Sequence, residues 1–140
     1  MLDEARVRFC DWDEDGGSLE YDISQLHEDW DVVIQTYEVR GISYEAQLIY
    51  TSDFTLFRRG SAVPDDFSGY PAAHKRQLWK IIFAIKQRFL DDVQPAIVEH
   101  FIKAPYRVAQ RLALYQQHLD LREYEMEQTS HTFTFIRRGL

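Results

Sequence analysis

Residues 71–93 read PAAHKRQLWKIIFAIKQRFLDDV, and the hydrophobic period of the chain changes where they begin. Leu78, Ile81, Ile82, Ile85, Phe89 and Val93 recur at spacings of three and four, with Lys75, Arg76, Lys80 and Lys86 set outside that series. Such spacing keeps the apolar side chains on one face of a helix and leaves the cations for the other. Pro71 suits the first turn, where a missing N–H costs nothing. The segment is an amphipathic helix.

Upstream the period is two. RVRFCDW (6–12) and SLEYDI (18–23) alternate, with Val7 and Phe9 on one face of the first and Leu19, Tyr21 and Ile23 on one face of the second. VVIQTYEV (32–39) is rich in β-branched residues, and Arg40–Gly41 reads as a tight turn. In ISYEAQLIY (42–50), Ile42, Tyr44, Ala46, Leu48 and Tyr50 fall on every second residue, the pattern of a half-buried strand. TSD (51–53) reads as a break before a further strand, FTLFRR (54–59). The proline- and glycine-bearing stretch 60–71 is a loop.

Downstream of the helix, AIVEHFI (96–102) is short and strand-like. A second helix is expected from APYRVAQRLALYQQHL (104–119), with Pro105 in its first turn and Val108, Leu112, Tyr115 and Leu119 as its apolar stripe. Two alternating runs around QTS (128–130) make a hairpin. The fold class that follows is α+β: a largely antiparallel sheet with both amphipathic helices packed on one face, which lets each helix bury its stripe. The expected organisation is a single domain over 1–140, strand-rich over 1–60, a loop over 60–71, and helix–strand–helix–hairpin over 72–138.

Composition bounds the function. An apolar share of 45% and an aromatic share of 14% are those of a folded chain. Cys10 is the only cysteine, so no internal disulfide can form. MLDEARVRF lacks the basic-then-apolar layout of a secretion signal, and Lys80, Lys86 and Arg88 interrupt the longest apolar run. A soluble, cytoplasmic protein is expected. The net charge of −7 is unevenly divided: residues 1–70 hold 5 Lys/Arg against 16 Asp/Glu, whereas residues 71–140 hold 11 against 7. An acidic half can face a basic partner, or the two halves can neutralise each other where they pack.

DWDEDGGSLEYD (11–22) is the stretch closest to a metal-binding motif. A calcium loop of about twelve residues takes carboxylates from its first, third and fifth positions, glycine at the sixth and glutamate at the last. Asp11, Asp13, Asp15, Gly16 and Asp22 occupy those places, but the last is one methylene short for a bidentate grip. The flanks read as strands where the helix–loop–helix unit needs helices. The expected structure is a β-hairpin with DEDGG at its tip, and at most a weak calcium site on Asp11, Asp13, Asp15 and Asp22. No other cofactor is expected.

Other catalytic patterns are missing. The five histidines show no HxH or HxxxH spacing, no serine sits in G-x-S-x-G, and no glycine-rich loop opens either helix. On the second helix, Arg107, Arg111 and His118 share one face, with Lys103 before them and Tyr106 beside them. Arginines so spaced can grip phosphate or carboxylate.

Two functions are therefore expected from the residues. The first is a non-enzymatic interaction protein that presents its acidic surface to a basic protein partner. One form of it is a phage- or mobile-element-type accessory protein mimicking nucleic acid. The alternative is a small enzyme or ligand-binding domain that holds an anion through Arg107, Arg111, His118 and Tyr106, with His100 or His118 titrating near neutrality. Direct nucleic-acid binding is not expected of a net acidic chain, nor is membrane insertion, and the residues leave the oligomeric state open.

Overall fold

The structure, a computed structural model, describes residues 3–13, 16–23, 30–43, 45–58, 64–65, 71–102 and 107–139; for residues 9–13, 16, 30–40, 58 and 64–65 it describes the backbone. After a single 3₁₀ turn at Glu4–Arg6, the elements run β1 (Val7–Asp13), β2 (Gly16–Asp22), β3 (Trp30–Ile42), β4 (Leu48–Arg58), β5 (Pro64–Asp65), α1 (Ala72–Val93), β6 (Ile97–Phe101), α2 (Val108–His118), β7 (Tyr124–Gln128) and β8 (Thr132–Arg137). The fold is α+β.

One sheet carries the strands in the order β1-β2-β3-β4-β6-β8-β7, with β5 added to β4. Among the described residues every pairing is antiparallel except β4–β6. A parallel pair needs a crossover, and α1 supplies it. Because β3 occupies one edge of β4 along its whole length, β5 and β6 must share the other. The β6 pairing ends at Ser52↔His100 and the β5 pairing begins at Leu56↔Asp65. The sheet thus divides along that edge between Ser52 and Leu56.

The stretch 60–71, expected as a loop, contains β5 at Pro64–Asp65 on the edge of β4, and two of the expected breaks fall elsewhere. Arg40–Gly41 is no turn: both residues lie inside β3, where the register shifts between Val39 and Gly41. The reversal comes at Ser43–Gln47, inside the run that alternates so regularly. There the Ser43 hydroxyl accepts from the N–H groups of Glu45 (3.3 Å) and Gln47 (3.2 Å), and Ala46 takes a positive φ of 61°. A serine that satisfies the turn's own backbone outweighs hydrophobic alternation. Thr51–Asp53, read as a break, forms the middle of β4.

Period two on each strand and the register between strands place one apolar row after another on the same face. Leu19, Tyr21 and Ile23 follow β2, Tyr50 and Leu56 belong to β4, Val98 to β6, and Phe133 and Phe135 to β8, all buried. Both helices cover this face. From α1, Leu78, Ile82 and Ile85 pack against the β2 and β4 residues. The same helix places Phe83, Phe89 and Leu90 in a core shared with β6, β8 and the Val108 and Tyr115 side chains of α2. Each fully buried Leu, Ile or Phe contributes roughly 1.5–3 kcal/mol. The α1 helix ends at Gln94, which adopts the left-handed conformation (φ 50°) and donates its N–H to the Leu90 carbonyl.

Candidate functional site

Lys86 breaks the amphipathic logic of α1. It follows Ile82 by four residues and Phe83 by three, and precedes Phe89 by three, so it stands within the buried stripe. Its side chain is 2% exposed. The expectation that Lys86 belongs to the solvated face is therefore corrected. The Nζ atom donates to the Ser52 hydroxyl of β4 at 2.7 Å and lies against the ring faces of Phe54 (5.5 Å) and Tyr115 (5.3 Å). Burial pushes the ammonium down to about 7; the charge of Asp53 opposes this and that of Arg111 adds to it.

This amine lies on a cleft of about 360 Å³. The cleft opens beyond the point where β6 leaves β4, at the carboxyl ends of the only parallel pairing among the described residues. A switch in strand direction commonly creates such a space. Ser52, Asp53 and Phe54 enter from β4, His100, Phe101 and Ile102 from the end of β6, and Arg107, Arg111 and Tyr115 from α2. The register sets Ser52 beside His100 and His100 opposite Phe133.

His100 is 4% exposed and stacks on Phe133, with ring centroids 4.6 Å apart and planes at 12°. Its Nδ1 is buried without a hydrogen-bond partner among the described residues. Burial, with the charge of Lys86 adding to it, holds this imidazole well below its ordinary range, so it is neutral at physiological pH. The expectation of a His100 titrating near neutrality is corrected on that ground. Tyr115 closes the cleft from α2, and burial raises its phenol, which keeps its proton. Arg111 is half-buried with its guanidinium 5.0 Å from the Trp79 ring centre, and Arg107 stands exposed one turn earlier.

The structure brings together only part of the expected anion-binding set. Arg107 and Arg111 line the cleft. His118 stacks on Phe83 at 4.8 Å and is not in the cleft lining. It shares the angular phase of Arg107 but lies about 16 Å further along the helix axis. Tyr106 and Lys103 fall outside the described residues. The stripe on the cleft is instead Arg107, Arg111 and Tyr115, at i, i+4 and i+8.

The acidic stretch also separates. β1 and β2 form an antiparallel hairpin in which Asp13 faces Gly16. Asp22 lies at the other end of β2, six residues from Gly16 and so about 20 Å from the tip. It accepts from Arg6, which forms an ion pair with its carboxylate at 3.7 Å. Asp22 is thus too far from the tip to share a cation with Asp13. Asp15 and the side chains of Asp11 and Asp13 fall outside the described residues. Among the described residues no group of three or more His, Cys, Asp or Glu side chains could hold a metal ion. No described helix is long and apolar enough to cross a membrane.

Sequence reasoning missed Lys86, Ser52 and Tyr115 as site residues. One signal for Lys86 was present: its spacing from Phe83 and Phe89 is that of the apolar series itself. The chain matches no protein-family model and no curated protein.

Proposed function

We propose that the protein binds a small anionic ligand, carboxylate or phosphate in class, in the cleft between β4, β6 and α2. The observation that carries this reading is a lysine buried on the floor of a cleft whose other wall supplies Arg107 and Arg111. A fold does not bury an ammonium for stability, since an apolar residue of that shape serves a core at least as well. Arg107 and Arg111, with Lys86 partly charged at neutral pH, outweigh the one carboxylate of the lining, Asp53, and attract a compact anion.

Thermal melts with added phosphate or acetate test the reading. A ligand present at about a hundred times its Kd stabilises by ~2.7 kcal/mol, enough to raise Tm by several degrees. Arg111→Gln and Arg107→Gln should each lose most of that rise. A chain whose Tm ignores every small anion would refute the proposal.

The charge division supports a second reading, an acidic surface that docks a basic protein, including the nucleic-acid-mimicking form. Its support is the 16 Asp/Glu against 5 Lys/Arg of residues 1–70. Pull-down at low and high salt tests it: capture of a basic partner that is lost at high salt is expected, and capture of nothing at any salt removes this reading.

A further inference from the structure

The anion-binding reading leaves one group with more chemistry than anion binding requires. Lys86 reaches the cleft as a primary amine between two aromatic faces, hydrogen-bonded to a hydroxyl. We infer that the Lys86 amine condenses with the carbonyl carbon of a short 2-oxo acid whose carboxylate is held by Arg107 and Arg111, forming an imine. This rests on the anion-binding reading and specifies its ligand.

Three observations converge on it. The amine is buried, and the loss of water favours its uncharged, nucleophilic form over the ammonium, while it stays hydrogen-bonded to the Ser52 hydroxyl on the cleft. Arg107 and Arg111 line the same cleft from α2, one helical turn apart, a spacing that suits a clamp for a carboxylate. A cleft of about 360 Å³ suits a ligand of a few carbons, and a 2-oxo acid carries its electrophilic carbon directly next to its carboxylate.

The step balances without any further reactant. The nitrogen lone pair forms a bond to the carbonyl carbon, and the π pair of the C=O moves to oxygen. One proton passes from nitrogen to that oxygen, giving the carbinolamine. The Ser52 hydroxyl, 2.7 Å from Nζ, is placed to relay it. A second proton from nitrogen leaves with the hydroxyl group as water while C=N forms.

Reductive trapping tests this on the full chain, with pyruvate as the probe and sodium borohydride as the reductant. Expected is a single adduct, located by peptide mapping on Lys86, whose yield rises from about pH 6 to about pH 8 as the amine loses its proton. Phosphate should compete with it. Arg111→Gln should lower the yield by about tenfold at limiting pyruvate, the loss that follows from one charge-assisted hydrogen bond. Propanal, which lacks the carboxylate, should trap poorly and be indifferent to Arg111→Gln. Lys86→Arg should bind pyruvate without being trapped.

If pyruvate raises the Tm or competes with phosphate but reduction leaves Lys86 unmodified, the imine is wrong and the anion site stands. If pyruvate and phosphate both fail to bind, both readings fall. Adducts spread over exposed lysines such as Lys80, with no enrichment at Lys86, would also overturn it. Equal trapping of propanal and pyruvate at Lys86 would remove the carboxylate clamp.

Discussion

A lysine held on the buried face of α1 has a cost that depends on pH. The Lys86 ammonium has an ordinary pKa of 10.5 in the unfolded chain and about 7 in the folded one. Between those values the unfolded chain binds more protons, so stability rises with pH from about 7 to about 10.5. The cost is complete below about 7 and gone above about 10.5. Lys86→Met should therefore stabilise the protein on the order of 1 kcal/mol or more at neutral pH, with the advantage shrinking towards pH 10. Urea denaturation at several pH values measures this. A Lys86→Met protein less stable than the parent at pH 7 would show that the Ser52 hydrogen bond outweighs burial. His100 has the same sign at lower pH. It is neutral when folded, so stability is lost as pH falls below its ordinary 6.5, and His100→Leu should flatten that acid arm.

At the scale of the element, hydrogen bonds that close the ends of helices and hairpins carry measurable weight. The buried Tyr124 hydroxyl at the start of β7 donates to the Pro95 carbonyl at 2.9 Å, tying the terminal hairpin to the link between α1 and β6. Tyr124→Phe leaves that carbonyl without its donor and should cost about 1–3 kcal/mol, read as a lower urea midpoint at constant slope. The β1–β2 hairpin gives a different expectation. With Asp22 at its far end, the tip has lost one of the four carboxylates that the motif requires. Calcium at about the millimolar level should leave Tm unchanged relative to chelator. A clear rise with calcium, abolished by Asp13→Asn, would restore the loop as a site. Reading elements from residues succeeded where burial and period coincide, as along Leu78, Ile82 and Ile85. It failed at Ser43–Gln47, where a local side-chain bond reverses the chain inside an alternating run.

Across the whole molecule, the acidic and basic halves share the β4–β6 ladder and one apolar core, and a salt bridge also joins them. That bridge is made by Arg88 of α1, whose Nη1 lies 2.7 Å from the Glu4 carboxylate ahead of β1. The glutamate is largely exposed, so such a pair is worth little. If the acidic half docks a basic protein, association should weaken steeply between low and physiological salt, because exposed charges are screened over a Debye length of about 8–10 Å. Stability should change much less over the same range, since the core of Phe89, Phe133 and Leu78 is apolar. Salt titrations of binding and of Tm, run side by side, separate these two effects.

The α+β class, the switch from period two to the helical period at Pro71, and the succession of helix, strand, helix and hairpin after it follow from side-chain pattern alone, because each is a local consequence of which residues must leave water; the limits of β4 and the short β5 do not. The hairpin at Asp11–Asp22 follows equally from its turn residues. The site does not. Ser52, Lys86, His100 and Arg111 lie on four elements spread over residues 52–111, and only the β4–α1–β6 crossover sets Ser52 beside His100 and turns Lys86 towards them. The spacing of Lys86 hints at the apolar face but does not say what surrounds the amine. Its desolvation, and so its chemistry, belongs to the packing of Phe54 and Tyr115 around it, which exists only once β4 and α2 have met over α1.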